Sequence, residues 1–160
     1  MNEIEHVMQL APVIPVLVID NAAYARPIAE ALVAGGLRAV EVTLRTPAAL
    51  EAIAEMSKVE GAVVGAGTVL NEEQLDAALG AGAEFIVAPG LTERLTRSAI
   101  ERGAAYLPGV ASASDIMRGL ELGLSHFKFF PAEANGGARW QCRLRRRHER
   151  PRPILEAFEP

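Results

Sequence analysis

The 160-residue chain is half apolar and only 5% aromatic, so Ala, Val, Leu and Ile must build its core. Its net charge of -4 argues against nucleic acid or an anionic membrane as general partners, and no apolar run approaches the roughly 18 residues of a membrane span. One cysteine, Cys142, excludes an internal disulfide framework, and His6, His126 and His148 are too scattered to suggest a metal site.

The opening "MNEIEHVMQL" is acidic and reads as a short helix over about 2–10, not as a secretory signal, which suits a cytoplasmic protein. From there, β-branched runs alternate with amphipathic Ala/Leu/Glu-rich stretches. Strands are predicted at 13–19, 39–44, 62–68, 85–89, 105–110 and 126–130, with helices at about 21–35, 47–58, 71–81, 92–102 and 112–122. Asp20, Thr46, Asn71, Thr92 and Ser112 stand where helix N-caps are expected. Strand starts recur every 20 to 26 residues, the rhythm of βα units in a parallel sheet.

Four units share a helix-ending glycine before the strand. Five residues beyond Gly36, Gly82, Gly103 and Gly123 stand Glu41, Val87, Pro108 and Lys128, and the same count from Gly61 reaches Ala66. Equal offsets predict equal faces, which puts Glu41 and Lys128 on one side of the sheet. The even repeat favours an α/β fold of the TIM (β/α)₈ barrel type, incomplete here with about six units; a doubly wound sheet is the alternative.

A lysine between Phe127 and Phe129 loses ammonium hydration, which favours the neutral amine that attacks ketones to form a Schiff base. Glu41 would supply the carboxylate that moves protons. Arg45, at the end of the second strand, offers a planar fork for a substrate carboxylate. Thr68 ends "GAGT", where glycines admit a ligand to the backbone and the hydroxyl can bind it. Each also has an ordinary reading: Lys128 and Glu41 as solvent-facing strand residues, Arg45 as a counter-charge to Glu41, Thr68 as the start of a turn. The shared register of Lys128 and Glu41 favours the chemical one.

The segments "ALVAGGLRAVEVTLRT" (31–46), "VVGAGTVLN" (63–71), "APGLTE" (88–93) and "FKFFPAEANGG" (127–137) resemble the bacterial 2-keto-3-deoxy-6-phosphogluconate (KDPG) aldolases, with matching spacing over 12–137. The resemblance implies a class I aldolase on a (β/α)₈ barrel, cytoplasmic and homotrimeric, with neither metal nor other cofactor. Lys128 would be the Schiff-base lysine and Glu41 the general acid/base, with Arg45 and Thr68 on the pyruvyl part of the substrate. The implied substrate is the phosphorylated 2-keto acid of the Entner-Doudoroff pathway, cleaved to pyruvate and glyceraldehyde 3-phosphate. 4-Hydroxy-2-oxoglutarate and the galactonate-derived 6-phosphate are further candidates.

After Gly137 the composition changes. Residues 1–137 carry a charge of -8 and residues 138–160 one of +4, with seven arginines within fourteen residues. The expectation is a partial barrel over 1–137 and a poorly ordered non-family tail over 138–160, read out of frame after codon 137. A basic nucleic-acid arm and a solvated terminus on a shortened protein are the competing readings of the tail. A non-catalytic fragment is the competing reading of the whole chain.

Overall fold

The computed structural model describes residues 3–137 and 154–156. Strands β1 (Val16–Leu17), β2 (Ala39–Thr43), β3 (Val63–Gly67), β4 (Phe85–Ala88), β5 (Ala105–Val110) and β6 (Phe127–Phe129) follow the predicted order. Helix α1 (Glu3–Gln9) precedes them, and α2 (Ala25–Ala34), α3 (Ala49–Met56), α4 (Glu72–Gly80), α5 (Glu93–Glu101) and α6 (Ala113–Glu121) fill the intervals. No strand was expected beyond Phe130, yet Ile154–Glu156 form β7 alongside β6. Residues 138–153 and 157–160, the rest of the expected tail, lie outside the described residues.

Every pairing is parallel, and the order β1-β2-β3-β4-β5-β6-β7 follows the chain. A doubly wound sheet requires a reversal of strand order partway across. The described strands contain none, which overturns that alternative.

Register assigns the two faces. Val16 stands opposite Glu41, Glu41 opposite Gly65, Gly65 opposite Phe85 and Phe85 opposite Ala105. On β5 the same face continues through Leu107 to Gly109, which pairs with Lys128. Towards the N-terminal strand ends, this inner face packs Ile14, Ala39, Phe85 and Leu107 with Ile4 and Val7 of α1. The outer face buries Val40, Val42, Val64, Ala66 and Ile86 with the helix residues Ala29, Ala52, Ile53, Met56 and Leu75.

Two positions from the glycine count belong on the opposite face from Glu41. Ala66 pairs with Val42, and Pro108 pairs with Ala88, both on the outer side. In units three and five the step from glycine to strand is one residue shorter, Gly61 to Val63 and Gly103 to Ala105, against Gly36 to Ala39 and Gly82 to Phe85. With a side-chain period of two, one residue exchanges the faces.

Three of the five expected caps form. Asn71 accepts from Gln74 N at 2.9 Å, Thr92 from Leu95 N at 3.4 Å, and Ser112 from Asp115 N at 3.2 Å, with the Asp115 carboxylate completing a capping box. Asp20 gives way to Asn21, which caps a single 3₁₀ turn (Ala22–Tyr24) ahead of α2. Thr46 donates its hydroxyl to the Ile19 carbonyl at 2.5 Å, and α3 starts later without a side-chain cap. Ser112→Ala should therefore lower stability by about 1 kcal/mol in urea unfolding, while Asp20→Ala should leave it unchanged. Equal losses in both would contradict this assignment of caps.

Phe127 and Phe129 face α6, packed with Val110, Ile116 and Ala132. Gly119 inside α6 is the counterpart of that packing: a Cβ there would stand 2.7 Å from Phe127 Cζ and 2.9 Å from Leu91 Cδ1. The glycine lowers helix propensity by about 1 kcal/mol relative to Ala, and the close approach of the ring offsets it.

Candidate active site

Lys128 and Glu41, separated by 87 positions in the chain, meet on the inner face. Lys128 Nζ donates to Glu41 Oε1 at 3.4 Å, with side chains 8% and 2% exposed respectively. The ammonium also stands 5.1 Å from the centre of the Phe130 ring, within cation–π range. This lysine is thus nearly dry, with one carboxylate and one aromatic face beside it.

Burial is the largest influence on Glu41 and raises its pKa above the ordinary 4.5. The charge of Lys128, its hydrogen bond and the charge of Arg45 oppose that rise without cancelling it. A carboxyl with a raised pKa holds a proton more readily than an exposed one, as a group that both takes and returns protons must. Proton uptake on folding favours the folded state. Glu41's contribution is therefore complete below pH 4.5 and fades as pH rises through the raised value.

Arg45 is exposed, in the turn beyond the end of β2. Thr43 is buried and donates to the Leu17 carbonyl at 3.2 Å. With Thr46, it ties β1 to the segment that carries Arg45.

Thr68 has φ of 58°, the one positive value at a non-glycine residue among those described. Left-handed backbone at a β-branched residue is strained by about 1–3 kcal/mol. Thr68→Gly should accordingly raise unfolding free energy by about 1 kcal/mol while weakening whatever the hydroxyl binds. A stability loss in that variant would contradict the strain.

The "GAG" preceding Thr68 has a packing role that the sequence reading did not include. Gly65 makes room for the Phe85 ring and Gly67 for the Glu41 carboxyl. The signal was present in the period-two spacing of the two glycines, which share one face with Glu41, but the leaning neighbours belong to β2 and β4. Gly109, opposite Lys128, has a related role: a Cβ there would stand 2.5 Å from the Pro89 carbonyl carbon. Among the described residues, no group of three or more His, Cys, Asp or Glu is arranged to hold a metal, and no helix is long and apolar enough to cross a membrane.

The chain as a whole has known relatives. A family model described as KDPG and KHG aldolase matches residues 4–144. The chain is 65% identical over 137 residues to the 2-dehydro-3-deoxy-phosphogluconate aldolase of Zymomonas mobilis, covering 86% of this chain and 66% of that protein. It is 50% identical over 136 residues to the KHG/KDPG aldolase of Escherichia coli, covering 84% and 64%. The chain thus spans just under two thirds of the length of these relatives. Among solved structures, the Zymomonas mobilis KDPG aldolase with 3-phosphoglycerate superposes with a TM-score of 0.91 at 57% identity, covering 100% of this chain and 74% of that one. The Legionella pneumophila KDPG aldolase, with pyruvate captured as a covalent carbinolamine intermediate, gives 0.85 at 42% identity, covering 89% and 69%.

Proposed function

The chain belongs to the KDPG and KHG aldolase family, and from that premise we propose that it is a class I aldolase site built on Lys128 and Glu41. The observation that carries the proposal is the buried pair: an ammonium 3.4 Å from a carboxyl whose pKa burial has raised. The substrate is the phosphorylated 2-keto acid 2-dehydro-3-deoxy-6-phosphogluconate, with 4-hydroxy-2-oxoglutarate as a second candidate.

Glu41 takes a proton from the Lys128 ammonium, the amine adds to the C2 carbonyl to give a carbinolamine, and loss of water leaves a protonated imine. Removal of the C4 hydroxyl proton by Glu41, directly or through water, lets the C3–C4 bond break. Its electron pair moves into the imine and leaves an enamine, while C4 departs as the aldehyde of glyceraldehyde 3-phosphate. Glu41 returns the proton to C3, and water hydrolyses the imine to pyruvate and free lysine. Arg45 and Thr68 hold the pyruvyl carboxylate, the first through its planar fork and the second through its hydroxyl. The aldolase occupies 1–137 of a (β/α)₈ barrel. Residues 138–160 are a segment of different origin, which rereading the coding DNA after codon 137 in the other two frames would test. A homotrimer in the cytoplasm completes the proposal.

Pyruvate release from the phosphorylated keto acid, coupled to lactate dehydrogenase, tests the activity of the 160-residue chain. Val16 of the β1 edge and Val18 just beyond it are 48% and 52% exposed. That side of the site is open to water in this chain. Adduct formation without turnover would identify such a chain as competent in its chemistry but unable to complete the cycle. Absence of both would remove the aldolase assignment.

The pH dependence follows from the carboxyl. Since Glu41 must be ionised to take a proton, the rate of the proton-transfer step should rise with pH through a value above 4.5. A profile governed by an ordinary glutamate value would contradict the buried geometry.

A further inference from the structure

We propose that Gly67 is a positioning residue for the Glu41 carboxyl, its missing side chain being the space through which that carboxyl reaches over β3 towards Lys128. The proposal rests on the aldolase reading of Glu41. Its support is a conflict of positions on the inner face. Glu41 has its Cα opposite Gly65, so the room nearest to it lies over Gly65. The Phe85 ring already fills that room, since a Cβ at Gly65 would overlap its Cδ2, Cε2 and Cζ atoms, and Phe85 is fully buried. The Glu41 side chain instead leans two residues towards the C-terminal end of β3. A Cβ at Gly67 would overlap Oε1 and stand 2.7 Å from both Cδ and Cγ.

The backbone of Gly67 is not free to retreat from such a Cβ. Its carbonyl accepts from Leu44 N at 2.8 Å, and the Thr68 residue that follows is held left-handed. Val69 N then donates to the Val87 carbonyl at 3.2 Å, anchoring the other side of the turn to β4. With the strand fixed on both sides, the mobile partner is the carboxyl. An alanine at 67 displaces Glu41 from Lys128 without touching either residue's chemistry.

The test is a double-variant cycle on the full chain, joining G67A with the shorter carboxylate of E41D, read by borohydride trapping of pyruvate and by urea unfolding. G67A should slow adduct formation about 100-fold, as expected of a misplacement near 1 Å, and shift its pH profile. E41D alone should slow it as well, yet G67A/E41D should be no slower than G67A, because the shorter side chain clears the new methyl group. In unfolding, the cost of G67A should shrink when Glu41 is also shortened. If G67A alone does not fold, recovery of folded protein in G67A/E41A supports the steric pairing, and continued failure overturns it. Effects that simply add in both readouts, or an unchanged G67A, overturn the positioning role while leaving the aldolase reading intact. A wild-type chain that traps no pyruvate removes the aldolase reading, and the positioning role of Gly67 in it.

Discussion

Lys128→Met should abolish covalent trapping of pyruvate and lower any aldol cleavage by at least on the order of 10³-fold, since the reaction loses both its nucleophile and its electron sink. Methionine keeps most of the volume and places an apolar group among Phe130, Glu41 and the inner face, so cavity formation contributes little to the result. The electrostatic consequence is separate and has its own sign. Lys128 holds the Glu41 pKa down by charge and by hydrogen bond, against the larger effect of burial. With the ammonium gone, that opposition disappears and the folded-state pKa of Glu41 rises further. Stability should be least affected near pH 4.5, where Glu41 is protonated, and the deficit should grow as pH rises towards 8. At neutral pH, breaking a pair this deeply buried is expected to cost about 3–5 kcal/mol. Urea unfolding across that pH range checks the sign, and a deficit that shrinks with rising pH would refute it. Lys58, on an exposed helix-end ion pair with Glu55, serves as the internal control and should be dispensable for adduct formation.

Glu41→Gln separates proton transfer from nucleophilic attack. The amide has nearly the shape of the carboxyl and fits the same space over Gly67, so the site keeps its form while losing its base. Turnover should fall by about 10²–10⁴-fold. Trapping should persist at Lys128, though more slowly, because amine addition can use water for its proton transfers. The rising limb of the pH profile above 4.5 should vanish with the carboxyl. Retention of that limb in E41Q would mean that another group carries the proton, and Glu41 would then be a counter-charge alone.

The legible part of the fold was the part encoded locally. Asn71, Thr92 and Ser112 cap their helices because each stands, in extended conformation, directly before a regular helix. Thr46 had the same local signature, but the Ile19 carbonyl, 27 positions away, takes its hydroxyl. The shared face of Glu41 and Lys128 could be read because strand periodicity carries over from unit to unit when the connections keep parity. Ala66 and Pro108 defeated the same count, since a connection one residue shorter reverses the face and no local signal marks it. The roles of Gly65 and Gly67 were out of reach for a different reason. What fills the space over them comes from Phe85 and Glu41, and only the register of three strands brings these together. Likewise, the left-handed backbone of Thr68 is imposed by ties to β2 and β4 on either side, against the residue's own preference.

The central claim is that a buried lysine beside a buried carboxyl forms an imine with a 2-keto acid. Its most direct test is borohydride reduction of the wild-type 160-residue chain with pyruvate, followed by peptide mapping. The account predicts one reduced pyruvyl group per chain, carried on Lys128, with Lys58 unmodified. Labelling spread over both lysines, or a chain that remains unlabelled while folded, would contradict it.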